Sequence, residues 1–119
     1  MTVIPPFDGV IRQHQQDEHI AWAMLPCACP QNHAANLLPL DDGSLMCVWF
    51  GGSQEGKADI SIWGSRLAPG SDRWSEAVKL SDDPDRSEQN PVLFQAPDNV
   101  LWLLWTAQFA GNQDTAIVR

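Results

Sequence analysis

The chain repeats itself. Laying residue n on residue n + 56 puts Asp42 on Asp98, Leu45 on Leu101 and Trp49 on Trp105. One residue less of offset puts Asp59 on Asp114 and Ile62 on Ile117. Each unit reads as a strand, an Asp-containing turn, an apolar strand ending in Trp, a polar loop, an Asp and a further strand. A chain of 119 residues with such a repeat has little freedom left. It stacks two copies of one small β-unit.

The strand signals recur between turn signals. In the first unit, 36–40 is a short strand closed by Asp41-Asp42-Gly43, a tight-turn tripeptide. The apolar run 44–50 is a buried strand, and 51–59 is a glycine-rich polar loop. Residues 60–66 alternate as a half-buried strand does. Residues 68–73 form a turn, and 74–80 is a more polar strand suited to an edge. A charged connection follows over 81–89, with Asp82, Asp83, Asp85, Arg86 and Glu88 read as solvated. The cycle then restarts with strands at 91–95, 100–106 and 115–119, separated by a turn at 97–99 and a loop at 107–113. Nothing reads as a strong amphipathic helix. The leading residues 1–24 are an irregular lead-in, apart from a short strand signal over 20–25.

Four strands recurring about every 50 residues are the signature of a β-propeller blade. Two similar hairpins of a β-sandwich are the alternative, and the matched Asp, Trp and Asp positions favour the blade. The fold expected is all-β. Blade one covers about 33–80 and an incomplete blade two about 90–119. A propeller closes with roughly four to eight blades. The sequence therefore reads as an N-terminal fragment of a longer protein, leaving a sheet face and an edge strand uncovered.

Composition narrows the function. Fifteen Asp and Glu against seven Lys and Arg leave a net charge of −8, which is no footprint for nucleic acid or an anionic membrane. No stretch has the roughly 20 apolar residues of a bilayer span. The start lacks a basic region followed by an apolar one, so no secretory signal is read and the cytoplasm is the default compartment. Cys27, Cys29 and Cys47 form no CxxC, and Cys27 and Cys29 with nearby His33 match no common zinc spacing. No metal site and no cofactor is expected. Six Trp and four Phe with no Tyr suit strand faces and also stacking on sugar rings.

The stretch Gln31-Asn32-His33-Ala34-Ala35-Asn36, then Asp42-Gly43-Ser44-Leu45 and Trp49 through Gly56, resembles the bacterial sialidase-like proteins with BNR repeats. Asp59 through Trp63, Trp74-Ser75-Glu76, Asn90 through Phe94 and Gly111 through Thr115 agree with it. The stretch from Ser65 to Trp74 is similar to a degenerate Asp-box, with Ser65, Gly70 and Trp74 in place. The resemblance covers about 25–119 and implies a six-bladed propeller of the sialidase type. It also implies a glycoside hydrolase acting on terminal, acidic sugars. The alternatives are a non-catalytic glycan-binding propeller, or a propeller polysaccharide lyase using His33 as base. In the family, arginines clamp the substrate carboxylate, because a guanidinium fork matches it. The first two clamp positions read Asn32-His33-Ala34-Ala35 and Gly51-Gly52-Ser53 here, with no arginine.

Strand starts and connecting loops shape a propeller's mouth. His33, at the first strand start, is a candidate acid/base or sugar donor. Glu55 and Asp59, on the loop 51–59, are candidate catalytic carboxylates. Asp59 has a structural rival role, because Asp114 recurs in the second unit and an Asp caps turns. Gln108, Asn112, Gln113 and Asp114, on the matching second loop, are candidate sugar-binding residues.

Overall fold

The computed structural model of the chain describes residues 6–27 and 29–119, so the first five residues of the lead-in lie outside the described residues. No helix is present among the described residues, and the strands form antiparallel sheets. A small ribbon pairs β1 (Arg12–Gln13) with β2 (Ala21–Trp22). The first large sheet has the order β3 (Gln31–Pro39), β4 (Leu45–Gly52), β5 (Ser61–Leu67), β6 (Val78–Lys79). The second has the order β7 (Ser87–Gln95), β8 (Leu101–Phe109), β9 (Asn112–Val118).

The two sheets are copies in detail. Asp42 Oδ1 accepts from the Ser44 N–H at 2.9 Å, and Asp98 Oδ1 from the Val100 N–H at 3.1 Å. Gly43 and Asn99 hold the left-handed position of the two turns at φ 86° and 67°. Those are residue types that tolerate it. Both leading strands carry a bulge at the same place, with Ala34 and Asn90 each at φ 53°. The indole N–H groups repeat as well. Trp49 donates to Asn32 Oδ1 at 3.1 Å and Trp105 to Glu88 Oε2 at 2.6 Å.

The strand register corrects one equivalence read from the sequence. Phe50 pairs with Ile62 and Thr106 with Val118, so the offset of 56 holds through the last strand. Asp114 therefore does not repeat Asp59. Asp59 lies in a loop, where its Oδ1 accepts from the Ser53 N–H at 3.4 Å, whereas Asp114 sits on β9. The expected loop at 107–113 is instead a continued hairpin, turning at Ala110 and Gly111 with φ 43° and 75°. Positive φ at both turn residues is the hairpin geometry that matches strand twist. The leading strands also begin earlier than their apolar residues suggest, because Gln31 and Asn32 pair through backbone with Gly52 and Gly51.

The core lies between the sheets. Val48, Phe50, Ile60 and Ile62 of the first pack against Leu93 of the second, with Leu103 and Trp105 at the margin. The outward face of the second sheet is open: Phe94 and Trp102 stack at 6.2 Å and stay exposed, beside Val92 and Val118. The lead-in is better anchored than an irregular segment would be. Trp74 N–H donates to Gly9 O at 2.9 Å, Ile11 N–H to Asp72 O at 2.8 Å, and Arg12 pairs with Asp8 at 2.8 Å.

The connection 82–88 is not simply solvated. Glu88 is 1% exposed and accepts from Trp105 and from the Asp83 N–H at 3.0 Å, while its own N–H donates to Ile60 O at 3.1 Å. Arg86 donates to Ala107 O and Thr115 O at 3.1 and 2.9 Å, with its guanidinium 3.8 Å over the Phe109 ring. Asp83 pairs with Arg119 at 2.6 Å. Only Asp82 and Asp85 are left largely to solvent. These contacts form because the strand at 87–95 starts inside the former connection and draws Glu88 under Trp105.

Three carboxyls are held below the ordinary carboxylate range. For Asp8 the main cause is the Arg12 guanidinium, for Asp42 the Ser44 hydroxyl, and for Asp83 the Asp85 backbone N–H. A depressed folded value stabilises the fold above the unfolded pKa, and that contribution is lost as pH falls through the folded value. The thermal midpoint is expected to fall as pH drops from about 5 to about 2, and to fall less steeply in Asp42→Asn. A midpoint flat over that range would contradict the assignment.

Candidate functional site

One end of both sheets converges on a polar cleft of about 420 Å³. The start of β3 supplies Gln31, the loop after β4 supplies Gln54 and Glu55, β7 supplies Gln89, β8 supplies Gln108, and β9 supplies Gln113. Five carboxamides and one carboxylate thus face one space. Gln89 and Gln108 are 3% and 5% exposed, so the back of the cleft is fixed by the sheet. The Gln89 amide Nε2 donates to Ser87 Oγ at 2.9 Å, and Thr106 Oγ1 donates to Gln89 O at 3.2 Å. The front is made of exposed Gln54, Glu55 and Gln113. Gln31 Oε1 accepts from the Glu55 N–H at 3.0 Å, tying the loop to the strand start.

Two glycines close the rim. Gly56 has φ 86° and Gly111 φ 75°, and the two backbones touch. A Cβ built on Gly56 would lie 3.1 Å from Gly111 Cα. The loop of the first sheet and the hairpin turn of the second meet this closely because Gly56 has no side chain, whereas a Cβ on Gly111 would lie at an ordinary 3.6 Å from Gly56 Cα.

Of the residues singled out from the sequence, the structure brings Glu55, Gln108 and Gln113 together. His33, Asp59, Asn112 and Asp114 lie outside the lining of this cleft. His33 is exposed on the bulge of β3, with its ring 5.3 Å from Phe50. Asn112 Oδ1 accepts from the Asp114 N–H at 3.1 Å, so both serve the β9 hairpin end. Gln31, Gln54 and Gln89 are cleft residues that sequence reasoning did not single out. Gln89 stands 56 residues after His33, so the repeat itself was the available signal.

The N-terminal thiols make a separate cluster. Cys27 Sγ donates to Asn32 Oδ1 at 2.8 Å, the same oxygen that receives the Trp49 indole. Burial pushes the Cys29 and Cys47 thiols up. All three cysteines are unpaired in the structure, and no group of three or more metal-ligating side chains occurs among the described residues.

The BNR repeat-like domain family matches residues 43–119. The chain belongs to that family. BNR repeat-like domains occur in sialidase-like proteins, which places this chain in a glycan-related superfamily. Neither the curated proteins nor the solved structures hold a match to it. The match spans the Asp42 turn's downstream strand, the loop bearing Glu55 and the whole second sheet. Every cleft residue except Gln31 therefore belongs to the matched BNR repeat-like region.

Proposed function

We propose that this BNR repeat-like domain recognises a glycan, and that the glutamine-lined cleft is the place of contact. The two sheets are then successive blades of a six-bladed, sialidase-type propeller, with the cleft on its mouth. The observation that carries the reading is the convergence of Gln31, Gln54, Gln89, Gln108 and Gln113 on one space beside Glu55. A carboxamide offers both donors and an acceptor, as a sugar hydroxyl does, so each can meet hydroxyls in either sense.

Recognition is better supported than hydrolysis. Cleaving a glycosidic bond ordinarily uses two carboxyl groups about 5–9.5 Å apart across the bond, or, in sialidases, a Tyr nucleophile, and this chain holds no Tyr. Glu55 is the one carboxylate among the residues lining this cleft, and Asp59 and Asp114 lie outside it. Where further blades supply a nucleophile, Glu55 is the group of this chain suited to the acid role. The lyase alternative has less to rest on, because His33 is away from the cleft.

The test uses two exposed cleft residues, so that folding is left alone. The chain should be retained by immobilised glycans. Gln54→Ala with Gln113→Ala should weaken retention about fivefold or more, while the thermal midpoint stays within about 2 °C. Failure to bind any glycan, or binding untouched by the double variant, defeats the reading.

A further inference from the structure

Cys27 and Cys29 are separated by a single residue, just before β3. Two residues of chain span at most about 7 Å, and a disulfide usually joins Cα atoms about 4.4–6.8 Å apart, so the spacing keeps the pair within bridging reach. One side chain fastens both. Asn32 Oδ1 accepts from the Cys27 Sγ–H at 2.8 Å, and Asn32 Nδ2 donates to Cys29 O at 2.9 Å. Burial first, and then the neighbouring Cys27 thiol, push the Cys29 thiol up. Both cysteines are only half-buried and Asn32 is exposed, so a small reagent can reach the cluster. The cluster also meets the cleft at two points. Asn32 follows Gln31, whose Oε1 holds the Glu55 N–H at 3.0 Å. Asn32 and Cys29 pack on Gly51, where an added Cβ would lie 2.5 Å from Asn32 Oδ1 and 3.2 Å from Cys29 Cβ. Gly51 lies at the end of β4, from which the loop bearing Gln54 and Glu55 departs.

We propose that Cys27 and Cys29 are a reversible oxidation site, and that their disulfide resets the Gln31–Glu55 link at the front of the cleft. The oxidant is a low-molecular-weight disulfide. One cysteine, as its thiolate, attacks it, forming a mixed disulfide and releasing one small thiol. The other cysteine then attacks the protein-side sulfur of that bond, closing the Cys27–Cys29 bond and releasing the second small thiol. Two electrons pass from the protein sulfurs to the small disulfide, and the two protein thiol protons end on the released thiols. Oxidation removes the Cys27 S–H from Asn32 Oδ1, leaving that oxygen the Trp49 indole as its donor, and redraws the chain that presents Cys29 O. Asn32 shifts, and Gln31 and the Gly51 end of the loop shift with it. The site needs only the cleft's geometry, whatever the cleft binds.

The test equilibrates the ¹⁵N-labelled chain with glutathione buffers running from reduced to oxidised. Mass spectrometry after alkylation reads the thiols, and the amide spectrum reads the cleft. A peptide lighter by two hydrogens, carrying the Cys27–Cys29 bridge, should appear in the oxidised buffers and vanish on return to reduced glutathione. The Glu55 backbone amide and the Gln31 side-chain amide should shift in step with it. In the double variant Cys27→Ser with Cys29→Ser, the serine hydroxyl keeps a donor for Asn32 while no bridge can form, so both signals should hold still across the series. Cysteines that stay reduced, or stop at mixed disulfides with glutathione, overturn the site. A bridge that forms while Gln31 and Glu55 do not move overturns its link to the cleft. A shift that persists in the double variant belongs to Cys47 and overturns the assignment. Every arm is read without a sugar, so failure here is distinct from failure of the glycan reading.

Discussion

Glu88→Ala should destabilise the chain by about 3 kcal/mol, among the larger losses a single side chain here can cause. Glu88 is 1% exposed and holds three things at once: the Trp105 indole N–H, the Asp83 backbone N–H and, at 3.9 Å, the edge of Arg119. Truncation leaves the two donors without their acceptor at a site closed to water, which is the costly way to lose a hydrogen bond. It also loosens the Asp83–Arg119 pair that ties the chain end to the connection before β7. Glu88→Gln keeps one acceptor oxygen and should cost only about 1 kcal/mol. Adding Trp105→Phe to Glu88→Ala removes one stranded donor, so the double variant should lose less than the two single losses added together. Urea unfolding followed by tryptophan fluorescence measures these variants and Trp105→Phe alone. A Glu88→Ala loss below about 1 kcal/mol would mean that the carboxylate is a bystander.

Gly56→Ala should cost about 2 kcal/mol of stability and about tenfold in affinity for whatever the cleft binds. Gly70→Ala supplies the comparison that isolates the cause. Both glycines have positive φ, 86° and 73°, so an added methyl group strains both backbones alike, by about 1 kcal/mol. They differ in what the new Cβ meets. At Gly70 nothing lies within 4 Å, whereas at Gly56 the Cα of Gly111 lies at 3.1 Å. The obstacle at Gly56 is backbone and cannot swing aside, so the loop and the hairpin must part at the cleft rim. The excess of the Gly56 loss over the Gly70 loss measures that contact, and Gly70→Ala should leave cleft binding unchanged. Equal losses at the two sites, with binding retained in both, would show that the rim contact does not shape the cleft.

The two outcomes bear on what a reader of the bare chain can and cannot see. The repeat was legible where side chains themselves dictate the backbone, at the Asp42 and Asp98 turns and at Trp49 and Trp105. The starts of β3 and β7 were not, because polar residues there pair through backbone groups, which carry no hydrophobic alternation. The Asp59–Asp114 match was a coincidence of letters that only the register could dissolve. Glu88 looked like one more charge in a charged connection, since its partner Trp105 is 17 residues away and no local pattern announces it. In the cleft, Glu55 could be found because it lies in the glycine-rich loop 51–59, and Gln108 and Gln113 because they lie in the matching stretch of the second unit, which the structure makes the facing ends of β8 and β9. Gln54, beside Glu55, and Gln89, 56 residues after His33, were within reach of the same signals but not singled out, and Gln31 pairs through its backbone at a polar strand start that no local pattern marks.

The paired indole bonds have a use beyond this chain's own stability. In both sheets the tryptophan donates to a residue 17 positions earlier, yet the acceptor is an amide in one and a carboxylate in the other. What duplication preserved is the distance along the backbone, set by the shared bulge, and not the identity of the acceptor. Any side chain that places an oxygen there can serve. An alignment scored on identity would discard such a pair as a mismatch. A search keyed to spacing, an oxygen-bearing residue followed 17 later by tryptophan, would recover it and could pick out diverged copies of this unit in other chains.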